Sequence, residues 1–224
     1  MTTISQIPKP EADKFKDGRK LLLVPLYQLP YHTSTEGEKI IQKYWSQTTA
    51  HVETLQKQLG EITNVYHEGV FEKEQQAFNM IKTTNPKGEF LIKQLIGRSA
   101  AIQITEDQNL VLENSDWQRC FMAGVVSEKV STAVIEGYQN SLDSRYQFIS
   151  EQIDKTLAEN QIGILFINEN HKIQFPQDIH IFFVAPPGLD ELIKWRDKIM
   201  SEQQAPIRNS TSEGDSEEEP IIMG

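Results

Sequence analysis

Short, continuous apolar runs alternate along this chain with longer stretches that have helical periodicity. Three runs are apolar at almost every position: residues 20–26, 163–167 and 180–184. Such runs are typical of strands that are buried on both faces of a parallel sheet. Residues 62–70 contain several β-favouring side chains and predict a fourth strand.

Between these strands, apolar side chains recur at spacings of three and four, which predicts amphipathic helices. The clearest helix covers residues 38–59, and Gly60 is placed to end it. A further helical stretch is predicted over residues 72–96, interrupted by a turn at 84–88. Another helix is predicted to begin at Ser115, with Asp116 as its cap. The last two are predicted around residues 146–157 and over residues 189–200. Residues 100–112 fit either a hairpin around residues 106–109 or more helix.

The helix that opens near Asp116 presents an apolar face that begins at Phe121 and reaches Val134. We expect this face to be buried, because an apolar stripe on a helix normally packs against the core. Cys120, the only cysteine, stands at the start of the stripe and is predicted to be buried with it. The alternative is a reactive thiol whose pKa is lowered by the neighbouring Arg119.

A strand, a helix and a second strand at this spacing form a βαβ unit, which implies parallel pairing. The sequence therefore predicts an α/β fold: a single domain with a mainly parallel sheet, a mixed sheet being the alternative, and helices on both faces. The strands over residues 20–26, 62–68 and 163–167 are expected to be parallel neighbours. Residues 1–18 form an extended lead-in, residues 19–200 the domain and residues 201–224 a disordered acidic tail.

Composition and charge narrow the classes of partner. The formal net charge is −10, which disfavours nucleic acids and anionic membrane surfaces. A single cysteine and the absence of a 20-residue apolar run favour the cytoplasm. A small-molecule or peptide ligand remains compatible with this composition, and the apolar residues 221–223 on their acidic tether suggest a protein partner for the tail.

Candidate site residues follow three of the predicted strands. His32 follows the first strand, Glu68 ends the second, and His171 follows the strand over residues 163–167. Because the carboxyl ends of parallel strands meet at one edge of a sheet, we expect these three side chains to reach one rim. His67 points to the opposite face from Glu68 and is interpreted as a packed or hydrogen-bonded histidine.

Two further residues have a chemical and a structural interpretation. Glu113 can accept a proton or orient a histidine, and it can also favour the start of a helix. Arg145 can bind a carboxylate or phosphate of a substrate, or it can pair with an acid of the protein itself. The residues alone leave both choices open.

The order of these features resembles the TraB–Tiki–ChaN-like (erythromycin-esterase-like) superfamily. The resemblance covers residues 20–185 and lies in His32 after the first strand, Glu68 ending the second, Asp143-Ser144-Arg145 opening a helix, and His171 after the following strand. It implies one pocket lined by these side chains, with Glu113 nearby.

Two functions are compatible with this pattern. The first is a metal-dependent hydrolase in which His32, Glu68 and His171 hold zinc or manganese, which activates water, and in which Glu113 and Arg145 assist. The alternative is a non-catalytic binding or scaffold protein that retains the fold. Leu29 and Asn168 stand where the family pattern has glycine, which favours the alternative, whereas the clustered His and Glu residues favour the hydrolase, which is the leading hypothesis.

Overall fold

The computed structural model describes residues 17–29 and 33–204. The predicted lead-in up to residue 16, His32 and the predicted tail beyond residue 204 lie outside the described residues. The elements follow one another as β1 (Arg19–Leu26), α1 (Thr35–Leu59), β2 (Asn64–His67), α2 (Glu74–Thr84), α3 (Glu89–Gly97), β3 (Ala101–Ile102), α4 (Gln108–Ala123), α5 (Glu128–Thr156), β4 (Ile162–Asn168), β5 (Ile179–Phe183) and α6 (Leu189–Gln204).

The five strands form one sheet in the order β3-β2-β4-β1-β5, and every pairing is parallel. The predicted α/β fold is therefore confirmed, and the mixed sheet is not observed among the described strands. The prediction that β1, β2 and β4 are parallel neighbours is confirmed, since β4 lies between β2 and β1 and pairs with both. Leu23 of β1, for example, pairs with Leu165 of β4.

Helices cover both faces of the sheet, as predicted. One core cluster joins β1, β2 and β4 to α1, α2 and α3, with Val52, Ile81 and Ile92 fully buried. The other cluster packs Ile149 and Ile153 of α5 against the opposite face. Helix α6 lies on the same side as α1, where Leu192 packs against Ile41 and Tyr44.

The chain between residues 100 and 127 differs from the sequence prediction. After the two-residue strand β3, helix α4 begins at Gln108, because the Asp107 side chain accepts hydrogen bonds from the amides of Asn109 and Leu110. The cap is therefore Asp107 and not Asp116, which lies inside α4. The predicted hairpin around residues 106–109 is wrong, and more helix is the correct alternative for residues 108–112.

The apolar face predicted to start at Phe121 is exposed around the turn, and of its apolar residues only Val134, at its far end, is buried. Gly124, with φ of 71°, ends α4, and a turn separates it from α5. Phe121, Met122 and Val126 are exposed, and so is Cys120, contrary to the prediction. The expectation failed because a second helix covers only one side of α4.

At the carboxyl terminus of the domain, α6 continues to Gln204, so residues 201–204 are helical and do not belong to the predicted tail. Among the described residues, no helix has the length and apolar character needed to cross a membrane.

Candidate functional site

The carboxyl edge of the sheet has the geometry of a ligand-binding crevice. The chain leaving β2 crosses to the face covered by α2, whereas the chain leaving β4 crosses to the face of α5, where Ile173 joins the core. Neighbouring strands whose connections diverge in this way leave a crevice at their carboxyl ends, where α/β proteins commonly bind ligands.

Glu68 stands at this crevice, directly after β2. One of its carboxylate oxygens accepts a hydrogen bond of 2.8 Å from the backbone amide of Asn168, so the side chain bridges the ends of β2 and β4. The other lies 3.4 Å from a guanidinium nitrogen of Arg145. Burial raises the pKa of Glu68, and the Asn168 amide and Arg145 offset this only in part. The side chain remains 24% exposed.

Arg145 is bound more tightly to Glu106 than to Glu68. Its Nε and one terminal nitrogen donate to the two carboxylate oxygens of Glu106 at 2.7 and 2.5 Å, a bidentate pair. Glu106 also accepts from the amide of Gly69, and its side chain is completely buried. Burial alone would lower the pKa of Arg145, but the hydrogen bonds to Glu106 outweigh it and hold that pKa above its usual range.

The remaining donors of Arg145 connect this ion pair to the helices. Its other terminal nitrogen donates to Asn114 of α4 at 2.9 Å, and Asn114 in turn donates to Ser141 of α5 at 2.8 Å. A guanidinium that is bound on three sides by the protein has little capacity left for an anion from solution. The arrangement therefore favours the structural interpretation of Arg145, in which it fastens α4 and α5 to the sheet edge.

His67 is buried and hydrogen-bonded, as the sequence predicts. Its Nδ1 lies 2.7 Å from the carbonyl oxygen of Glu68, which only accepts, so Nδ1 carries the proton. Its Nε2 lies 3.2 Å from the side-chain nitrogen of Asn85. The backbone N–H of Gly88 donates to the side-chain oxygen of Asn85 and so fixes the orientation of the Asn85 side chain. A second proton on the ring, at Nε2, would place an N–H donor of His67 against the N–H donor of Asn85. Burial lowers the pKa of His67 to about 4.

A cleft of about 440 Å³ opens beside this network, between the end of β1, α1 and the turn that follows α2. Aromatic and aliphatic side chains form most of its wall, with a few polar groups at the rim: Tyr27, Leu29, Ile41, Tyr44, Trp45 and Leu192, together with Thr33, Glu38, Asn85 and Lys87. Lys87 forms an ion pair with Glu38 that separates the cleft from a groove of about 510 Å³ between α1 and α3.

His171 lines a different cleft, of about 250 Å³, together with Glu169 and Phe183. Its Nδ1 accepts a hydrogen bond of 3.3 Å from the amide of Ile173, and burial lowers its pKa. Glu169 is paired with Arg196, whose guanidinium lies 5.3 Å from the ring centre of Tyr27.

The structure thus places Glu68 and Arg145 in contact, whereas the other predicted site residues that it describes lie elsewhere. His32 lies outside the described residues, although its neighbour Thr33 lines the 440 Å³ cleft. Glu113 is exposed on α4 and accepts from Trp117 at 3.4 Å, four residues along the same helix. In the described ranges, no three His, Cys, Asp or Glu side chains are grouped so that they could hold a metal ion.

Sequence reasoning missed Glu106 and Asn85. Glu106 follows a strand of only two residues, within a polar run that fits a hairpin turn equally well. Asn85 lies in the Asn-Pro-Lys-Gly turn, where asparagine is common for local reasons alone. The one sequence signal that could have identified Glu106 is the position of an acid immediately after a short β-favouring segment.

Comparison of the chain with protein-family models, with curated proteins and with solved structures gives no match. The resemblance to the TraB–Tiki–ChaN-like superfamily therefore stays a prediction.

Proposed function

We propose that this protein is a non-catalytic binding protein that takes a small organic molecule or a peptide side chain in the 440 Å³ cleft. The observation that carries the proposal is the cleft itself. Its volume lies within the range of about 300–1,000 Å³ that is common for small-molecule sites, and it lies at the carboxyl edge of a parallel sheet. Such sites combine an apolar wall with a few polar groups that orient the ligand.

The wall indicates which ligands would fit. Trp45, Tyr27 and Tyr44 offer ring faces and edges to an aromatic or aliphatic group. Burial raises the pKa of Tyr27 to about 12, so its hydroxyl stays protonated at neutral pH and can donate a hydrogen bond. A neutral ligand with one apolar group and a few hydrogen-bonding atoms suits these surroundings best.

The charged groups around the cleft support binding more than catalysis. Glu38 is engaged by Lys87, and Glu106 is engaged by Arg145. His67 is neutral, buried and hydrogen-bonded at both ring nitrogens. Groups that are already paired within the protein are less available to exchange a proton with a substrate.

A ligand-detected NMR screen with a library of small aromatic fragments tests this proposal. The wild-type protein should give saturation transfer to a subset of fragments. Thr33→Trp, which fills the cleft from its rim, should abolish the transfer. Ser46→Trp is the matched control, because Ser46 lines only the neighbouring groove. Transfer that persists in Thr33→Trp, or none in the wild type, would contradict the proposal.

The metal-dependent hydrolase is the second candidate, and one observation favours it. Glu68 is a partly exposed carboxylate with a raised pKa at the crevice, which is a property of many general acids and bases. The described donors do not fit a metal site, so a metal would have to be held with the help of His32.

Elemental analysis separates the two candidates. The protein is purified without a metal-affinity tag, incubated with zinc or manganese and then dialysed. The hydrolase requires about one retained ion per chain, lost when His32 and His171 are both replaced by Ala. The binding proposal expects no retained ion in either protein.

A further inference from the structure

Helices α4 and α5 pack against each other as a hairpin whose outer part is largely exposed. By length, α4 with 16 residues spans about 24 Å and α5 with 29 residues about 43 Å. Only the second half of α5 contributes to the core beneath the sheet, through Ile149 and Ile153. The first half packs on α4, and Asn114 is the only buried residue of α4. The hairpin therefore projects from the body.

The end of this hairpin is apolar. We call the following five residues the tip cluster, since they flank or form the turn between the helices and are all exposed: Phe121, Met122, Val125, Val126 and Val130. Val126 is as exposed as in an extended chain, at 104%. Leu112 and Ile135 add two more exposed apolar side chains along the stem. Exposed apolar patches of this extent commonly mark a site of association.

The exposed apolar area of the tip cluster approaches what one partner of a stable dimer needs. The exposed fractions of these seven residues add up to about four fully exposed residues. At roughly 100 Å² for each apolar side chain, this is on the order of 400 Å². A standard interface buries about 800 Å² on each partner, of which somewhat more than half is apolar. Leu112 and Ile135 point to other sides of their helices than Phe121 and Val130, because each residue turns an α-helix by about 100°. The five tip-cluster residues account for about three of the four residue equivalents. They alone supply a large part of the apolar area that a standard interface requires.

The charge of the tip permits a second copy of the chain as the partner and disfavours an anionic surface. The whole chain has a formal net charge of −10, which makes copies repel each other. Residues 115–131, however, contain two acids and two bases, namely Asp116, Arg119, Glu128 and Lys129, so the tip is neutral. Two tips can approach without repulsion, and there is no basic cluster to attract an anionic membrane.

We infer that two copies of the chain associate through their α4–α5 hairpins. The tip clusters pack against each other about a two-fold axis, and the four helices form a short bundle. This association is independent of the ligand cleft. Because the hairpins project, they can pair while the two α/β bodies remain apart.

Light scattering coupled to size-exclusion chromatography tests this inference on the full chain, at concentrations from about 1 to 100 µM. The wild type should reach twice the chain mass of 25.7 kDa. The double variant Met122→Glu/Val126→Glu should stay monomeric, with the dimer Kd raised at least about tenfold. The matched control is Phe90→Glu on α3, where an equally exposed apolar side chain lies outside the hairpin. This variant should dimerise like the wild type.

The exposed Cys120 gives a second measurement. Its reaction with a maleimide should slow several-fold as the wild-type concentration rises, and the double variant should show no such change. A wild type that is monomeric throughout, or a double variant that still dimerises, would overturn the inference. Binding of the monomeric wild type to phosphatidylcholine vesicles would overturn it in favour of a lipid surface.

Discussion

The buried ion pair between Glu106 and Arg145 permits a quantitative test of how the helical hairpin is fastened to the sheet. Replacing Glu106 with Gln keeps the size of the side chain and removes its charge. Arg145, 10% exposed, then keeps its hydrogen bond to Asn114, and its only remaining carboxylate partner is Glu68 at 3.4 Å. Removing one partner of a buried ion pair costs about 3–5 kcal/mol, because the other charge stays buried without compensation.

We expect Glu106→Gln to lower the free energy of unfolding by about 3 kcal/mol, since Glu68 partly replaces the lost charge. In a domain of this size, that loss corresponds to a melting temperature lower by roughly 6–12 °C. Urea unfolding followed by circular dichroism measures the change directly.

Two controls sharpen the interpretation. Glu191→Gln breaks the exposed pair with Lys43, whose side chain is 52% exposed, and should cost less than about 1 kcal/mol. Replacing Glu106 with Leu and Arg145 with Met together removes both charges and should recover part of the stability lost in Glu106→Gln. If Glu106→Gln costs no more than Glu191→Gln, the pair does not hold the hairpin and the reasoning is wrong.

Three further predictions concern pH, packing and capping. The pKa of His67 is about 4 in the folded protein against an ordinary 6.5, so below pH 6.5 only the unfolded chain takes up a proton. Stability should fall by up to about 3 kcal/mol between pH 6.5 and 4, and His67→Gln should lack this component in urea titrations. Gly37→Ala should destabilise the protein by about 1–3 kcal/mol, since its new Cβ would lie 2.2 Å from the Trp195 ring. Gly97→Ala, with nothing within 4 Å, should be neutral or stabilising in the same thermal melts. Asp107→Ala should cost about 1 kcal/mol and reduce the helical circular-dichroism signal, because it removes the cap of α4.

The sequence by itself determined the elements whose signals are local. Continuous apolar runs identified β1 and β4, because a strand buried on both faces needs apolar side chains at every position. The run in residues 180–184 also identified β5, but β5 is an edge strand and its Phe183 is 71% exposed. The regular spacing in residues 38–59 identified α1 for the same kind of reason. Parallel pairing of β1, β2 and β4 also followed from the alternation of strands and helices. The parallel direction of β5 did not, since only a loop joins it to β4.

Only the tertiary structure decided which side chains meet. Glu106 and Arg145 are 39 positions apart and belong to different elements, and no local pattern of charge marks them as partners. The position of β4 between β2 and β1 likewise depends on how all the strands pack together. Arg145 had both a substrate-binding and a structural interpretation in the sequence, and its geometry favours the structural one.

The hairpin shows why an apolar stripe does not reveal burial. The residues around Phe121 have the composition of a core face, and local periodicity cannot show whether another element covers them. Gly124 ends α4 and turns the chain into α5, which covers one side of α4 and leaves the tip cluster in solvent. Whether an apolar side chain is buried depends on the packing of distant segments, which only the folded chain defines.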